Sequence, residues 1–324
     1  MTESRLLVAL RPREEIRSVL GRQLPTIGWE YVSEGSPSRW KDVEAMLLGS
    51  VERELVGVNA RALPHLRFVQ RVYTGMDGVP FERFPDGVRF AGNVGGYAPF
   101  VAEHAVALAL AAARELPRAH ALAAAGKLRP PPVQRLLWKR TAVILGYGEI
   151  GRAIAARLAG FETRIVGLNR TGRAAPGCSE MFAADRLIDA VKEGDFVFDA
   201  RPLTRATEGS IDASVLSAMK TTAVFINVGR AGTVREEALY QHLSSHPDFR
   251  AALDVWWHED FASGRLEHQF PFADLPNLVG TPHSAGFGPD VEQYVLERAV
   301  ANLARFFGGE EPRYVIDRSE YERP

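Results

Sequence analysis

Short β-like runs alternate with longer helical stretches along this chain, and this alternation restricts the fold more than any other feature. It predicts βαβ units and a parallel sheet. The predicted strands are residues 6–10, 29–32, 45–48, 68–73 and 88–91, followed by 142–145, 164–168, 195–199, 223–228, 251–255 and 277–279. Six strands in the second set equal the number in a complete doubly wound nucleotide-binding domain. The sequence therefore predicts an α/β protein with one doubly wound domain and one smaller α/β domain.

Two helical stretches set the expected domain boundaries. Residues 101–116 are almost wholly apolar, which predicts a helix buried on most sides, and the prolines at 130–132 predict a loop. A last helix over 289–307 follows the second set of strands, and we expect it to cross back to the first domain. The predicted division is a discontinuous smaller domain, residues 1–97 and 287–324, around a nucleotide-binding domain, residues 98–286.

Composition excludes several classes of protein. Lys plus Arg number 39 against 40 Asp plus Glu, which argues against an electrostatic nucleic-acid binder. Cys178 is the single cysteine, so an intrachain disulfide and a cysteine-rich metal site are excluded and a reducing cytoplasm is favoured. The longest apolar run, 105–113, is too short to span a bilayer. Glu103 and His104 lack a second histidine at zinc spacing, so we expect no metal, and His104 is assigned a structural, hydrogen-bonded role.

A glycine pattern marks the expected cofactor site. The segment TAVILGYGEIG, residues 141–151, follows a strand-like run and opens a helical one, as a dinucleotide-binding turn does. The glycines that fit G-x-G-x-x-G are Gly146, Gly148 and Gly151. A pyrophosphate would lie at the helix N-terminus, against the backbone of Glu149 and Ile150. The alternative is a glycine-rich turn that holds no ligand.

The residues after the second strand of this domain bear on the choice of cofactor. A dinucleotide fold normally has an acidic residue there for the ribose 2′-hydroxyl, but this chain has Asn169, Arg170, Thr171, Gly172 and Arg173. Arginine suits a 2′-phosphate because its planar fork donates two hydrogen bonds at once. The sequence thus favours NADP(H), with NAD(H) as the other cofactor. The alternative is a solvated basic turn.

Four segments together resemble the D-isomer-specific 2-hydroxyacid dehydrogenases. They are VYTGMDGV (72–79), VAEHAVALAL (101–110), FINVGRAGTVREEAL (225–239), and AALDVWWHE followed by VGTPHSAG (251–259 and 279–286). The resemblance covers nearly the whole chain. It implies a Rossmann cofactor domain, a flavodoxin-like substrate domain, and NAD(P)-dependent interconversion of a 2-keto acid and a D-2-hydroxy acid.

The resemblance also implies the catalytic residues Arg230, Glu259 and His283. Arg230 would hold the substrate carboxylate and the adjacent keto oxygen. His283 would move the proton, because histidine is the side chain most often used for general acid–base catalysis near neutral pH. Glu259 would hydrogen-bond the imidazole and fix its tautomer.

Further site residues follow from the same resemblance. The backbone N–H groups of Thr74, Gly75 and Met76 would bind the substrate carboxylate. Tyr97 stands where many members have asparagine near the substrate, so the substrate's identity stays open. Additional cofactor contacts are implied at Pro202, Val228, Gly229, Asp254, His283 and Ala285, with Asp254 near the nicotinamide amide.

These features predict an NADPH-preferring reductase of small 2-keto acids such as glyoxylate or hydroxypyruvate. One alternative is an NAD-dependent dehydrogenase of a bulkier 2-hydroxy acid or of phosphite, with the pocket beside Tyr97 and Met76. The other is a dinucleotide-sensing regulator on the same fold. The same resemblance implies that the apolar helix 101–116 and the segment after it form a homodimer interface, and an exposed apolar patch of that size would otherwise favour association.

Overall fold

A computed structural model of the chain describes residues 4–34, 40–56, 58–128 and 134–322. The prolines at 130–132, predicted as a loop, lie outside these ranges. The strands are β1 (Ser4–Ala9), β2 (Gly28–Tyr31), β3 (Ala45–Leu48), β4 (Phe68–Arg71), β5 (Arg89–Ala91), β6 (Thr141–Leu145), β7 (Arg164–Asn169), β8 (Glu180–Ala183), β9 (Phe196–Asp199), β10 (Val224–Asn227), β11 (Arg250–Leu253), β12 (His258–Asp260), β13 (Arg265–Glu267) and β14 (Leu278–Gly280). The α-helices are α1 (Glu14–Gln23), α2 (Val51–Glu54), α3 (Ala98–Ala113), α4 (Leu116–Ala124), α5 (Glu149–Leu158), α6 (Leu187–Glu193), α7 (Ala213–Ala218), α8 (Glu236–Ser245) and α9 (Val291–Phe307).

The contacts of the chain divide into two compact units, with boundaries after Tyr97 and after Phe287. The first unit combines the N-terminal segment with α9 and the residues that follow it. Its sheet has the order β2-β1-β3-β4-β5, and every neighbouring pair is parallel. This is the flavodoxin-like order. Both faces are covered, because Leu6 and Val8 pack with residues of α1 and α9, and Leu7 packs on the opposite side.

The second unit contains a seven-stranded parallel sheet with the order β14-β11-β10-β9-β6-β7-β8. Counted from β6, this is the doubly wound order with one strand added beyond the sixth. The six predicted strands are all present, but the sequence analysis missed β8. This strand is four residues long and lies at the sheet edge, and only Phe182 in it is buried, so it lacks the apolar run that marked the others.

The apolar helix predicted over 101–116 is instead α3, which begins at Ala98 and ends at Ala113. Glu115 has a left-handed backbone, with φ of 49°, and separates α3 from α4. The buried Arg250 ends α3 by donating to the carbonyls of Ala112 and Ala113 at 3.2 and 2.8 Å. The predicted C-terminal boundary was therefore three residues too late, because an arginine distant in sequence ends the helix.

A short antiparallel hairpin, β12–β13, follows β11 and was not predicted. It pairs Glu259 with Leu266. Across the described ranges, no helix combines the length and the apolar character needed to cross a membrane. The same ranges contain no group of three or more histidine, cysteine, aspartate or glutamate side chains arranged to hold a metal ion.

Candidate functional site

Three neighbouring strands of the second sheet end at predicted site residues. Arg230 follows β10, Asp254 follows β11 directly, and His283 follows β14. These strands are adjacent and parallel, so their carboxyl ends share one edge of the sheet. Ligands of open α/β sheets bind at this edge.

The glycine turn after β6 has the shape that a pyrophosphate site requires. Gly146 has φ of +87°, and a Cβ there would lie 3.0 Å from the backbone nitrogen of Arg201. A Cβ on Gly151 would collide with the carbonyl oxygen of Gly146. Gly148, by contrast, faces open space and precedes α5, whose first residues are Glu149 and Ile150. The turn thus leaves room for a ligand where helix N–H groups and the helix dipole favour an anion.

The segment after β7 presents the polar residues expected to choose the cofactor. The side chain of Asn169 accepts a hydrogen bond from the Thr171 nitrogen at 3.1 Å and donates to the Arg173 carbonyl at 2.8 Å. Arg170, Thr171 and Arg173 are exposed. Asn169 therefore shapes a turn that carries two arginines where an acidic residue would stand in an NAD-type site.

Asp254 is buried, with 1% of its surface exposed, and its carboxylate collects several donors. Oδ1 accepts from the Thr281 hydroxyl at 2.7 Å and from the Ser284 nitrogen at 2.8 Å. Oδ2 accepts from the Ala285 nitrogen at 3.1 Å. Burial alone would raise the pKa of Asp254, but the hydrogen bonds and His104 outweigh it, so the pKa of Asp254 is lowered. The carboxylate therefore stays ionised and holds the segment that carries His283.

His104 completes this cluster from α3, a role the sequence analysis did not specify. Its Nε2 lies 2.9 Å from the Thr281 hydroxyl oxygen and 3.4 Å from Oδ1 of Asp254. The Thr281 hydroxyl has one proton, which it donates to Asp254, so its oxygen accepts from His104. His104 therefore carries a proton on Nε2.

His283 and Glu259, both predicted as catalytic, are in contact. The Nδ1 of His283 lies 2.8 Å from Oε2 of Glu259. The other carboxylate oxygen of Glu259 accepts from the Trp256 nitrogen at 2.8 Å. Glu259 is thus held between a backbone donor and the imidazole, so Nδ1–H faces the carboxylate and Nε2 is the nitrogen left for proton exchange with a ligand.

The backbone of His283 is also unusual, because its φ is 52°. Its nitrogen donates to the Asp254 carbonyl at 2.7 Å, and the Phe261 ring lies edge-to-face with the imidazole at 5.1 Å between centroids. The left-handed backbone and these contacts fix the direction of the ring.

Arg230 lies on a loop that other side chains shape. Asn227 donates to the Arg230 carbonyl at 3.1 Å and accepts from the Gly229 nitrogen at 3.0 Å. The half-buried Arg230 itself donates to the Gly229 carbonyl at 2.8 Å. The structure thus places Arg230 at the same sheet edge as His283, on a turn held by its own strand.

A buried ion pair below this loop was missed by the sequence analysis. Arg201 donates through Nε and Nη2 to the two oxygens of Asp199, at 2.9 and 2.7 Å. Asp199 is fully buried and also accepts from the Thr233 hydroxyl at 2.9 Å. The pair supports the two loops that bear Pro202 and Gly229, where a Cβ on Gly229 would lie 2.6 Å from the Arg201 carbonyl. Val228 is buried and donates to the Asp199 carbonyl.

The predicted substrate loop lies in the first unit, after β4. The Thr74 hydroxyl donates to the Asn93 carbonyl at 3.1 Å, and Arg71 donates to the Gly75 carbonyl. Among the residues the structure describes, none accepts a hydrogen bond from the backbone nitrogens of Thr74, Gly75 or Met76. The loop therefore has N–H groups available for a ligand such as a carboxylate.

Tyr97, the last residue before the boundary between units, is half-buried. Burial raises the pKa of its phenol, and Tyr73 and Glu292 act in the same direction. Tyr97 therefore remains a neutral hydrogen-bonding group over the physiological pH range.

Known proteins resemble this chain over most of its length. A family model described as D-isomer specific 2-hydroxyacid dehydrogenase, NAD binding domain, matches residues 106–285. Glyoxylate reductase of Pyrococcus furiosus is 31% identical over 288 residues, which cover 86% of this chain and 83% of that protein.

Solved structures agree in fold. A candidate formate dehydrogenase from Pyrobaculum aerophilum is 29% identical, with a TM-score of 0.83 and coverage of 99% of this chain and 100% of that one. An NADPH-dependent glyoxylate/hydroxypyruvate reductase from Sinorhizobium meliloti, in complex with NADP and malonate, is 25% identical. Its TM-score is 0.75, with coverage of 100% of this chain and 99% of that one.

Proposed function

The chain belongs to the D-isomer specific 2-hydroxyacid dehydrogenases, and on that premise we propose that it reduces small 2-keto acids to D-2-hydroxy acids. The observation that carries the proposal is the contact of His283 with Glu259 at the carboxyl edge of the sheet. An imidazole with Nδ1 held by a carboxylate and Nε2 left for a ligand is suited to general acid–base catalysis. The relatives named glyoxylate and hydroxypyruvate reductase support a substrate of that size.

Arg230, His283 and Glu259 have separate roles in the proposed reaction. A nicotinamide dinucleotide, when bound, supplies the hydride. Arg230 holds the carboxylate and polarises the keto group by its planar, permanently charged fork. His283 gives its Nε2 proton to the oxygen that becomes the hydroxyl, and Glu259 stabilises the imidazolium before that transfer.

The substrate carboxylate has a second partner in this proposal, the loop of Thr74, Gly75 and Met76. Its backbone N–H groups, to which the described residues offer no acceptor, suit a carboxylate oxygen. Tyr97 would offer a neutral hydroxyl to the substrate. A small 2-keto acid fits this proposal better than a bulkier hydroxy acid, phosphite or a purely regulatory role.

We assign a preference for NADP(H) over NAD(H) to the turn after β7. Arg170 and Arg173 are exposed there, and Asn169 holds the turn through its amide. The pyrophosphate would bind at Gly146, Gly148 and Gly151, against Glu149 and Ile150. The remaining cofactor contacts in the proposal are Thr171, Pro202, Val228, Gly229, Asp254, His283 and Ala285.

We also propose that the protein is a cytoplasmic homodimer. Helix α4, all of which is described, has no buried residue, and large apolar side chains in this helix and in the segment that follows it in the sequence are exposed. They are Leu116, Leu128, Leu136 and Trp138. A second copy of the chain would cover this apolar surface. The free thiol of Cys178 agrees with a reducing compartment.

The proposal is tested by following cofactor oxidation with glyoxylate and with hydroxypyruvate, each with NADPH and with NADH. We expect turnover with both keto acids, a higher kcat/KM with NADPH, and a D-configured product from hydroxypyruvate. Tight cofactor binding without turnover would contradict the reductase. Turnover with equal kcat/KM for the two cofactors would contradict only the NADPH preference.

A further inference from the structure

The turn that would bind the pyrophosphate and the loop with the two arginines are joined by one side chain. Tyr147 lies between Gly146 and Gly148, and its hydroxyl donates to the Pro176 carbonyl at 3.1 Å. Its backbone nitrogen donates to the Leu168 carbonyl, at the end of β7, at 2.9 Å. Tyr147 therefore contacts strand β7, just before the arginine loop (residues 170–177), through its backbone, and the end of that loop through its side chain.

The start of the arginine loop has other supports. The Asn169 side chain forms hydrogen bonds with the backbone of Thr171 and Arg173. Thr171 also forms a single antiparallel β-bridge with Ala183. After the loop, the Ser179 nitrogen donates to the Ile165 carbonyl at 2.8 Å. Within the described chain, the Tyr147 hydroxyl is the only side-chain group that donates a hydrogen bond to residues 174–177, two of which form a turn of their own.

A groove open to solvent lies beside the same stretch. Its volume is about 370 Å³, and its lining includes Tyr147, Pro176, Gly177 and side chains of α5. Because this side of the loop faces the groove, few side chains pack against it there, and its hydrogen bonds are the more important support.

The tyrosine itself is fixed. It is buried, with 4% of its surface exposed, and burial raises the pKa of its phenol, so the hydroxyl keeps the proton it donates. Gly177, next to the acceptor, has φ of +77°, and a Cβ there would lie 3.3 Å from the tyrosine oxygen. The loop thus approaches the tyrosine hydroxyl at Gly177, where the left-handed backbone conformation favours glycine.

We propose that Tyr147 is a positioning residue for recognition of the cofactor's 2′-phosphate, which it supports by holding the loop of Arg170 and Arg173. The inference rests on the proposed NADP(H) preference. A loop already in its bound arrangement loses less conformational freedom when the phosphate binds, so affinity for the phosphorylated cofactor rises. The 2′-phosphate is what distinguishes NADP from NAD, so Tyr147 affects the choice between them without contacting the phosphate.

The test uses the full chain with Tyr147→Phe, which removes the hydroxyl and keeps the ring. Dissociation constants for NADP⁺ and NAD⁺ are measured by titration calorimetry. We expect the NADP⁺ constant to rise about five-fold, the effect of one ordinary hydrogen bond, while the NAD⁺ constant changes by less than about two-fold. The value of kcat at saturating NADPH should not change. Tyr240→Phe is the matched control, because its ring packs on Phe270 in another part of the unit.

Two further variants give independent tests. Gly177→Ala strains the loop at the point of contact, and it should weaken NADP⁺ selectively even though Tyr147 is intact. In an Arg170→Ala, Arg173→Ala background, Tyr147→Phe should have no further effect on NADP⁺, because no arginine remains to be positioned.

The outcomes distinguish a failure of the role of Tyr147 from a failure of the proposed NADP(H) preference. Equal weakening of both cofactors by Tyr147→Phe, or no change in either, would overturn the inference while the arginine variants could still support an NADP(H) site. A wild-type protein that binds both cofactors equally well would overturn both. Selective weakening of NADP⁺ by Tyr147→Phe and Gly177→Ala, absent without the arginines, would establish the role.

Discussion

The Nδ1 of His283 and the carboxylate of Glu259 lie 2.8 Å apart, although 24 residues separate them in the chain. The first follows strand β14, and the second lies on strand β12 of the short hairpin. Glu259 is fixed by the Trp256 nitrogen as well as by the imidazole. The pair therefore presents one imidazole nitrogen, Nε2, in a set direction, and its geometry leads to two predictions.

Glu259→Gln should keep the bond from Trp256 and lose the charge that stabilises an imidazolium. With the amide oxygen held by Trp256, the NH₂ group would face Nδ1 and favour the opposite tautomer of His283. We expect kcat to fall about 100-fold or more, within the range of general acid–base effects. Steady-state kinetics measures it, and a kcat within a few-fold of wild type would contradict the role of Glu259.

His283→Asn tests the proton transfer without disturbing the backbone, because asparagine tolerates the left-handed conformation found here, φ 52°. We expect a melting temperature close to that of the wild type, cofactor dissociation constants within a few-fold of the wild type, and a turnover lower by about 10²–10⁴-fold. His283→Val is the comparison, because a β-branched residue should be strained at this φ and lower the melting temperature. Wild-type turnover in the asparagine variant would mean that another group moves the proton.

The fold and much of the site were predictable where the signal is local. A glycine pattern between a strand and a helix predicts its own backbone shape, and Gly146 and Gly148 have it. Residues after parallel strands share an edge of the sheet, so Arg230 and His283 could be placed there from strand order alone. The apolar runs of β6, β9 and β10 identified the strands because both faces of the sheet are covered.

The missed features depend on partners distant in sequence. His104 lies on an apolar helix, and its proton on Nε2 follows only from the position of Thr281, 177 residues away. From the sequence alone, Arg201 resembles a surface arginine. The structure shows it paired with the buried Asp199, which also accepts a hydrogen bond from Thr233. Strand β8 is defined by pairing with β7 rather than by its own residues. Local sequence patterns do not predict contacts between residues that are distant in the chain.

Asp254→Asn should destabilise the protein in a pH-dependent way. The lowered pKa of Asp254 means that the native state favours its charged form, so its contribution is complete above the usual carboxyl pKa of about 4 and is lost as the pH falls through the lowered native value. Near pH 7 we expect a loss of about 2–3 kcal/mol, as for hydrogen bonds to a buried charge. Urea unfolding from pH 7 to pH 3 measures it.

The difference between wild type and Asp254→Asn should narrow toward the acid end of that series. Glu103→Gln, an exposed carboxylate on the same helix as His104, is the control and should unfold like the wild type at each pH. A difference that stays constant with pH would mean that the charge of Asp254 does not stabilise the fold.

Replacing Arg170 and Arg173 together with alanine tests the proposed cofactor preference. Each arginine that contacts a 2′-phosphate contributes a charge-assisted bond, so we expect the NADPH dissociation constant to rise by about 10-fold or more. NADH has no such phosphate, and its dissociation constant should change by less than about two-fold. Arg186→Ala is the matched control, since this exposed arginine pairs with Asp189 at the start of α6. Equal losses of affinity for NADPH and NADH would mean that the arginines act only through their general positive charge. A loss of affinity for NADPH alone would mean that the turn after β7 contacts the 2′-phosphate.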